Sequence, residues 1–159
     1  MLDPQKHQRQ NFSCGEVSLD EWLLRYSKQN RRGTAATWVI ADAQGCVVAY
    51  ATLSMTAIDS SAAPRILAKG APKVIPALLV GRLAVDRSVA GHGLGTELVK
   101  HILKTAVELN LKAACRAVVV TALNESARQW WQRFGFSLFA EGDPNNFDLY
   151  CLLVAFRSH

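Results

Sequence analysis

The 159-residue sequence predicts an α+β fold, a central mixed, twisted sheet covered by helices on its faces, and three observations predict it. Two runs of strand-forming residues flank Ala43-Gln44-Gly45 as the arms of a hairpin would. An apolar segment, Ala77 to Val85, leads through three alternating glycines, Gly91, Gly93 and Gly95, into a stretch with helical periodicity. Strand, helix and strand patterns then alternate towards the carboxyl end, so β-α-β-α-β follows the hairpin.

Each element has a local reason. "SLDEWLLRYSKQN" opens with Ser18, has Glu21 three residues later as in a capping box, and repeats Leu19, Trp22, Leu23 and Tyr26 at helical spacing. Thr37 to Ala41 and Cys46 to Leu53 are rich in strand formers and make the hairpin. Ile58 to Ile75 is turn-rich and poorly periodic, predicting a long loop with one short helical turn. Ala77 to Val85, bounded by Pro76 and Asp86, reads as a buried central strand. Leu94, Leu98, His101, Ile102 and Ala106 then share one helical face to about Asn110. "ACRAVVVTAL" from Ala114 predicts a strand, "ESARQWWQRF" from Glu125 a helix, and "FDLYCLLVAF" a last strand.

Composition bounds the class. With 50% hydrophobic residues the chain can bury a continuous core, and residues 1–159 are expected to form one domain. The apolar stretches fall short of the roughly 20 residues of a membrane span, and the amino terminus carries no signal-like apolar block, so a cytoplasmic protein without membrane contact is expected. Cys14, Cys46, Cys115 and Cys151 stand singly, without the paired spacing of a zinc site or disulfide framework. No metal site is expected.

The net charge of +5, from 18 Lys and Arg against 13 Asp and Glu, favours an anionic partner such as RNA or a phosphorylated cofactor. Arg25, Lys28, Arg31 and Arg32 lie together with no acid among them and with Tyr26 interleaved, a composition suited to phosphate contacts and base stacking. A solvated helix end, where cations oppose the helix dipole, has the same composition.

The glycine segment carries more chemistry. The first N–H groups of a helix lack intrahelical partners and sit at the positive end of its dipole, so they bind phosphate. Glycines admit positive φ and let a ligand approach the backbone closely. "AGHGLGTE" has no Gly-Lys-Thr for a nucleotide-triphosphate loop, and no acid about 20 residues on at a strand end to hold a ribose. A pyrophosphate cradle and a turn that merely allows tight helix–sheet packing remain equal readings of the pattern.

Resemblance separates them. "RLAVDRSVAGHGLGTELVKHIL" followed by "ALNESARQWWQRFGF" resembles the acetyl-CoA-binding core of the GNAT acetyltransferase superfamily, whose sheet carries a splayed strand pair. "FSCGEVSLDEWLLRYSKQNRRGTAATWVI" is similar to the toxin branch of that superfamily, whose members acetylate the free α-amino group of aminoacyl-tRNA and are restrained by a ribbon-helix-helix antitoxin. The resemblance implies acetyl-CoA as cofactor, a homodimer, and a role for Arg25, Lys28, Arg31 and Arg32 in guiding tRNA. It implies that the backbone of Leu83, Ala84 and Val85 holds the pantetheine arm, and that Gly91, His92, Gly93, Leu94, Gly95 and Thr96, following Ala90, hold the pyrophosphate. Asn124 matches a position near the cofactor arm, although helix capping explains it equally well.

Two positions depart from the family. The glycine motif commonly opens with Arg or Gln where this chain has Ala90, so phosphate binding rests more on amides, with Arg87 or His92 as nearby helpers. The toxins usually carry an aromatic-Tyr pair before the Gly-Phe, and that tyrosine donates a proton to the departing thiolate. Here the pair is Trp130-Trp131. An indole N–H is no practical acid, whereas a phenol of pKa about 10 is matched to a thiol of about 8.5. Trp131 is therefore expected beside the thioester and Trp130 inward, with water, Tyr150 or Ser126 supplying the proton. The expected activity is N-acetylation of aminoacyl-tRNA. The alternatives are the same chemistry on a protein amino terminus or small amine, and a CoA-binding module whose catalysis has lapsed.

Overall fold

The computed structural model describes residues 1–28 and 33–153. Its strands are β1 (Ala36–Ala41), β2 (Val47–Asp59), β3 (Val74–Val85), β4 (Ala117–Thr121), β5 (Ser137–Leu138) and β6 (Asp148–Leu152), with helices α1 (Val17–Arg25), α2 (Arg65–Ala68), α3 (Leu94–Lys112) and α4 (Glu125–Gln132). The six strands form one sheet in the order β1-β2-β3-β4-β6-β5. Pairing is antiparallel for β1 with β2, β4 with β6 and β5 with β6, and parallel for β3 with β4. The sheet is therefore mixed, as the alternation of elements predicts.

The hairpin forms where expected. Asp42 Oδ1 accepts from the amides of Gln44 and Cys46, and Gly45 takes φ +83° to close the turn. The predicted loop after it is shorter than the sequence suggests. β2 runs six residues past Leu53 to Asp59, because Ser54 to Asp59 alternates half-buried and exposed positions with the period of a strand. β3 begins at Val74 and passes through Pro76, whose missing N–H costs one ladder bond while its carbonyl still accepts from Arg116 N at 2.9 Å. The remaining connection folds into a 3-10 turn, Ser60–Ala62, capped by Asp59, and the single turn of α2. Arg116 Nη1 donates to the carbonyls of Leu67 and Lys69 and satisfies the carboxyl end of that turn.

The capping box is not formed. α1 starts at Val17 with Glu16 as its extended flanking residue and no side-chain cap, so Ser18 lies inside the first turn. Asp20 Oδ1 accepts instead from Cys14 N at 2.9 Å, which ties the incoming chain to the helix. The last stretch of the predicted helix, after Lys28, lies outside the described residues, as does the end of the predicted final strand after Leu153.

The chain packs as two compact units. The first comprises Met1–Ser54 and Gly81–His101. Its core gathers Phe12, Trp22, Leu23, Val47, Tyr50 and Ala84. Trp22 stacks on Tyr50 at 5.7 Å, Phe12 meets the same ring edge-on, and the Tyr50 hydroxyl donates to Leu19 O at 2.7 Å. The Arg82 guanidinium lies 4.4 Å from the Trp22 ring centre. Arg9 is buried here too, donating to Ser27 Oγ and to Leu23 O at the end of α1.

The second unit comprises Met55–Val80 and the chain from Ile102 onwards. Its core gathers Leu67, Ile75, Ala77, Ala117, Val119 and Tyr150, with Ile58, Leu79 and Phe139 packed against it. Val118 and Leu149 are also fully buried, as expected for the β4 and β6 ladder.

Candidate functional site

In the first unit, the β3 backbone ends in a turn built to present amides. Asp86 caps a 3-10 turn, Arg87–Val89, accepting from Ser88 N and Ser88 Oγ through Oδ1 and from Ser13 N through Oδ2. Arg87 donates from its own amide to Ser13 O and from Nη2 to Ser13 Oγ, both at 2.9 Å. Burial opposes ionisation of the Asp86 carboxyl, but the Ser13 and Ser88 hydrogen bonds and the Arg87 charge outweigh it and hold its pKa below the usual value of 3.8. The residue is thus an anion that braces the turn from the strand side.

Gly91 and Gly93 follow, each at φ +81°, where a side chain is strained. A Cβ at either position would meet nothing within 4 Å, so the glycines open onto clear space. Gly93 O accepts from Glu97 N, the first hydrogen bond of α3, so Leu94, Gly95 and Thr96 form the turn whose amides a helix cannot satisfy internally. These three are half-buried, while Ala90, Gly91, His92 and Gly93 are exposed. On β3, Ala84 packs into the core, 5% exposed, and the alternation of the strand turns Leu83 and Val85 to the opposite face. The parallel ladder with β4 ends at Val80↔Val120, so Leu83 to Val85 lie past its last pair. Arg25, Tyr26 and Lys28 are exposed at the end of α1, and Arg31 and Arg32 lie outside the described residues.

The second unit holds the other sequence-predicted residues. Asn124 Oδ1 accepts from Ala127 N at 2.9 Å, so the capping role is realised. Of the Trp pair, it is Trp131 rather than Trp130 that packs inward. Trp131 is buried, 4% exposed and edge-on to Phe136 at 5.0 Å, whereas Trp130 is half-buried against Phe134. Gly135, at φ +90°, turns the chain back after α4 and brings Phe136 against Trp131. Tyr150 sits in the apolar core with Phe139 at 5.2 Å. Burial, assisted by the Glu141 charge, pushes its phenol above its ordinary value, which makes it a poorer acid. Ser126 is exposed on α4.

Sequence reasoning misses the Asp86 brace, although "DRS" after an apolar run is a readable capping signal. Its partner Ser13 carries no such signal, because the two residues stand 73 positions apart.

A strand that enters a turn with two left-handed glycines and opens a 19-residue helix presents unsatisfied backbone amides, the kind of group that binds an anion. Comparison with known proteins makes the class specific. The acetyltransferase (GNAT) family matches residues 5–136. A tRNA-acetylating toxin of Mycobacterium tuberculosis (strain ATCC 25618 / H37Rv) is 30% identical over 128 residues, covering 80% of this chain and 77% of the relative. Among solved structures, AtaT complexed with acetyl-methionyl-tRNAfMet has a TM-score of 0.85 at 27% identity, with 95% of this chain and 91% of that chain covered. A tyrosine-to-phenylalanine variant of the AtaT toxin, bound to the C-terminus of the antitoxin AtaR and acetyl-CoA, has a TM-score of 0.79 at 27% identity over 96% and 89% of the two chains. The chain belongs to the acetyltransferase (GNAT) family. Among the described residues, no helix is long and apolar enough to cross a membrane.

Proposed function

We propose that this protein is an acetyl-CoA-dependent N-acetyltransferase toxin that acetylates the α-amino group of aminoacyl-tRNA and is neutralised by a ribbon-helix-helix antitoxin. The observation that carries the reading is the pair of left-handed glycines opening α3, with clear space where their side chains would be. The likeness to tRNA-acetylating toxins supports the substrate class over a small amine or a lapsed module. We assign the chain to the cytoplasm, as one acetyltransferase domain that works as a homodimer.

Bound acetyl-CoA supplies the acetyl group as a thioester. The amides of Gly91, Gly93, Leu94, Gly95 and Thr96 would hold the pyrophosphate, with the exposed His92 side chain beside them, while the Ala90 and His92 amides donate within the turn to Arg87 O and Val89 O. Arg87, engaged with Ser13, braces the turn and is not the phosphate cation. The backbone of Leu83 to Val85 would hold the pantetheine arm as an added strand would, and an N–H there would donate to the thioester oxygen. Asn124 caps α4 through Oδ1, the role its position is seen to fill.

The substrate α-amine has a pKa of about 7.7 to 8.0, lowered further by its ester, so a large fraction is neutral without a strong base. The amine would take the acetyl group that the thioester supplies and lose its surplus proton to solvent, with water left to protonate the departing sulfur. Trp131 cannot supply that proton, and Tyr150 is buried with a weakened acid. Arg25, Lys28, Arg31 and Arg32 attract the tRNA backbone.

A thiol-release assay with acetyl-CoA and three acceptors tests the reading. Release is expected with charged total tRNA and not with uncharged tRNA or polyamines. Release with polyamines alone would overturn it.

A further inference from the structure

The second unit contains an open cavity of about 170 Å³, below the roughly 300–1,000 Å³ of drug-sized pockets and enough for one amino-acid side chain. It is lined mainly by apolar side chains, among them Ile58, Leu79, Val119 and Phe139, and Thr56 adds one hydroxyl. Its floor is continuous with the buried cluster around Ile75 and Tyr150, because Ile58, Leu79 and Phe139 pack against that cluster and Val119 belongs to it. One formal charge stands among the lining residues, the Asp148 carboxylate. Thr121, its directly opposed partner across the β4–β6 ladder, donates from Oγ1 to Asp148 Oδ1 at 2.6 Å and fixes the group at the wall. Leu79 stands on β3 four residues before Leu83, where the pantetheine arm is assigned.

We propose that this cavity receives the side chain of the amino acid esterified to tRNA, and that it selects uncharged apolar side chains over glycine and rejects acidic ones. The inference rests on the aminoacyl-tRNA reading above. The apolar lining supplies the preference for size, since each methylene that fills such a pocket raises specificity by about tenfold or more. The Asp148 carboxylate supplies the rejection, because a second carboxylate brought against it is repelled.

The test uses the full chain with acetyl-CoA and tRNAs charged separately with methionine, leucine, glycine and aspartate, and reads kcat/KM for each. Methionyl- and leucyl-tRNA are expected to exceed glycyl-tRNA by about tenfold or more, with aspartyl-tRNA slowest. The wild-type ranking decides the matter without any variant. Thr56→Phe, which fills the cavity, should bring the methionyl-to-glycyl ratio down towards one. Asp148→Asn, at an exposed position, should raise aspartyl- relative to methionyl-tRNA by about tenfold. Equal kcat/KM across the four charged tRNAs, or an unchanged ratio in Thr56→Phe, overturns the pocket and leaves the acetyltransferase reading standing. Acetylation of small amines with no charged tRNA modified overturns both.

Discussion

The two tryptophans at the end of α4 show how a single position separates packing from chemistry. Position 131 matches the family's proton-donating tyrosine, yet the indole packs against Phe136 and is 4% exposed. Trp131→Tyr should keep or raise turnover in the thiol-release assay, because it restores the phenol that the resemblance implies at this position. The smaller ring should also lower thermal stability by about 1–3 kcal/mol, read as a shift in Tm. A sharp fall in turnover would contradict the account of the missing acid. Asp86 carries a pH signature. Its folded pKa lies below 3.8, so the stability it adds is present above that value and is lost as pH falls through the folded pKa. Asp86→Asn should therefore lower Tm at neutral pH, with the gap to the wild type closing as both proteins are titrated to about pH 3. The chemistry of these residues is more legible in the sequence than their surroundings. The Trp pair is plain to see, but the two cannot be ranked from sequence, because the left-handed turn at Gly135 decides which ring meets Phe136.

At the scale of elements, the β3–turn–α3 segment is where the cofactor contacts are proposed, and it is the most legible part of the chain. Glycine at positive φ, an apolar strand and a helical face are all local properties, so the pattern fixes them without tertiary information. Gly93→Asp should reduce acetyl-CoA affinity by about a hundredfold or more in isothermal titration, since a carboxylate would face the diphosphate from a strained backbone. Gly93→Ala, which adds strain without charge, should cost about 1–2 kcal/mol. The strands on either side of the long connection are harder to read. Pro76 and the mixed stretch from Ser54 to Asp59 look like loop in isolation, and only pairing within the sheet, with the Arg116 amide on Pro76 O, makes them extended. The capping box at Ser18 fails for a related reason, as Asp20 already holds the chain entering α1. The exposed end of that helix makes its own prediction. Replacing Arg25 or Lys28 by Gln should weaken tRNA binding and reduce the slope of log affinity against log salt by about one for each phosphate no longer neutralised.

For the whole molecule, the net charge of +5 and the absence of an acid between Asp59 and Asp86 suit a polyanionic substrate carrying a neutral amine at its end. The chain is 30% identical to a tRNA-acetylating toxin, and the family matches it although Trp131 stands where the resemblance implies a tyrosine. Fold and cofactor class are thus set by backbone features that survive such replacements, while the choice of acceptor depends on cavity shape and charge that sequence patterns do not encode. The most direct test of the central claim is mass spectrometry of the 3′-terminal nucleosides of charged total tRNA after incubation with the protein and acetyl-CoA. The account predicts N-acetyl-aminoacyl-adenosine, absent when acetyl-CoA is omitted. Unmodified aminoacyl-adenosine, with the acetyl group recovered on small amines or protein amino termini, would contradict it.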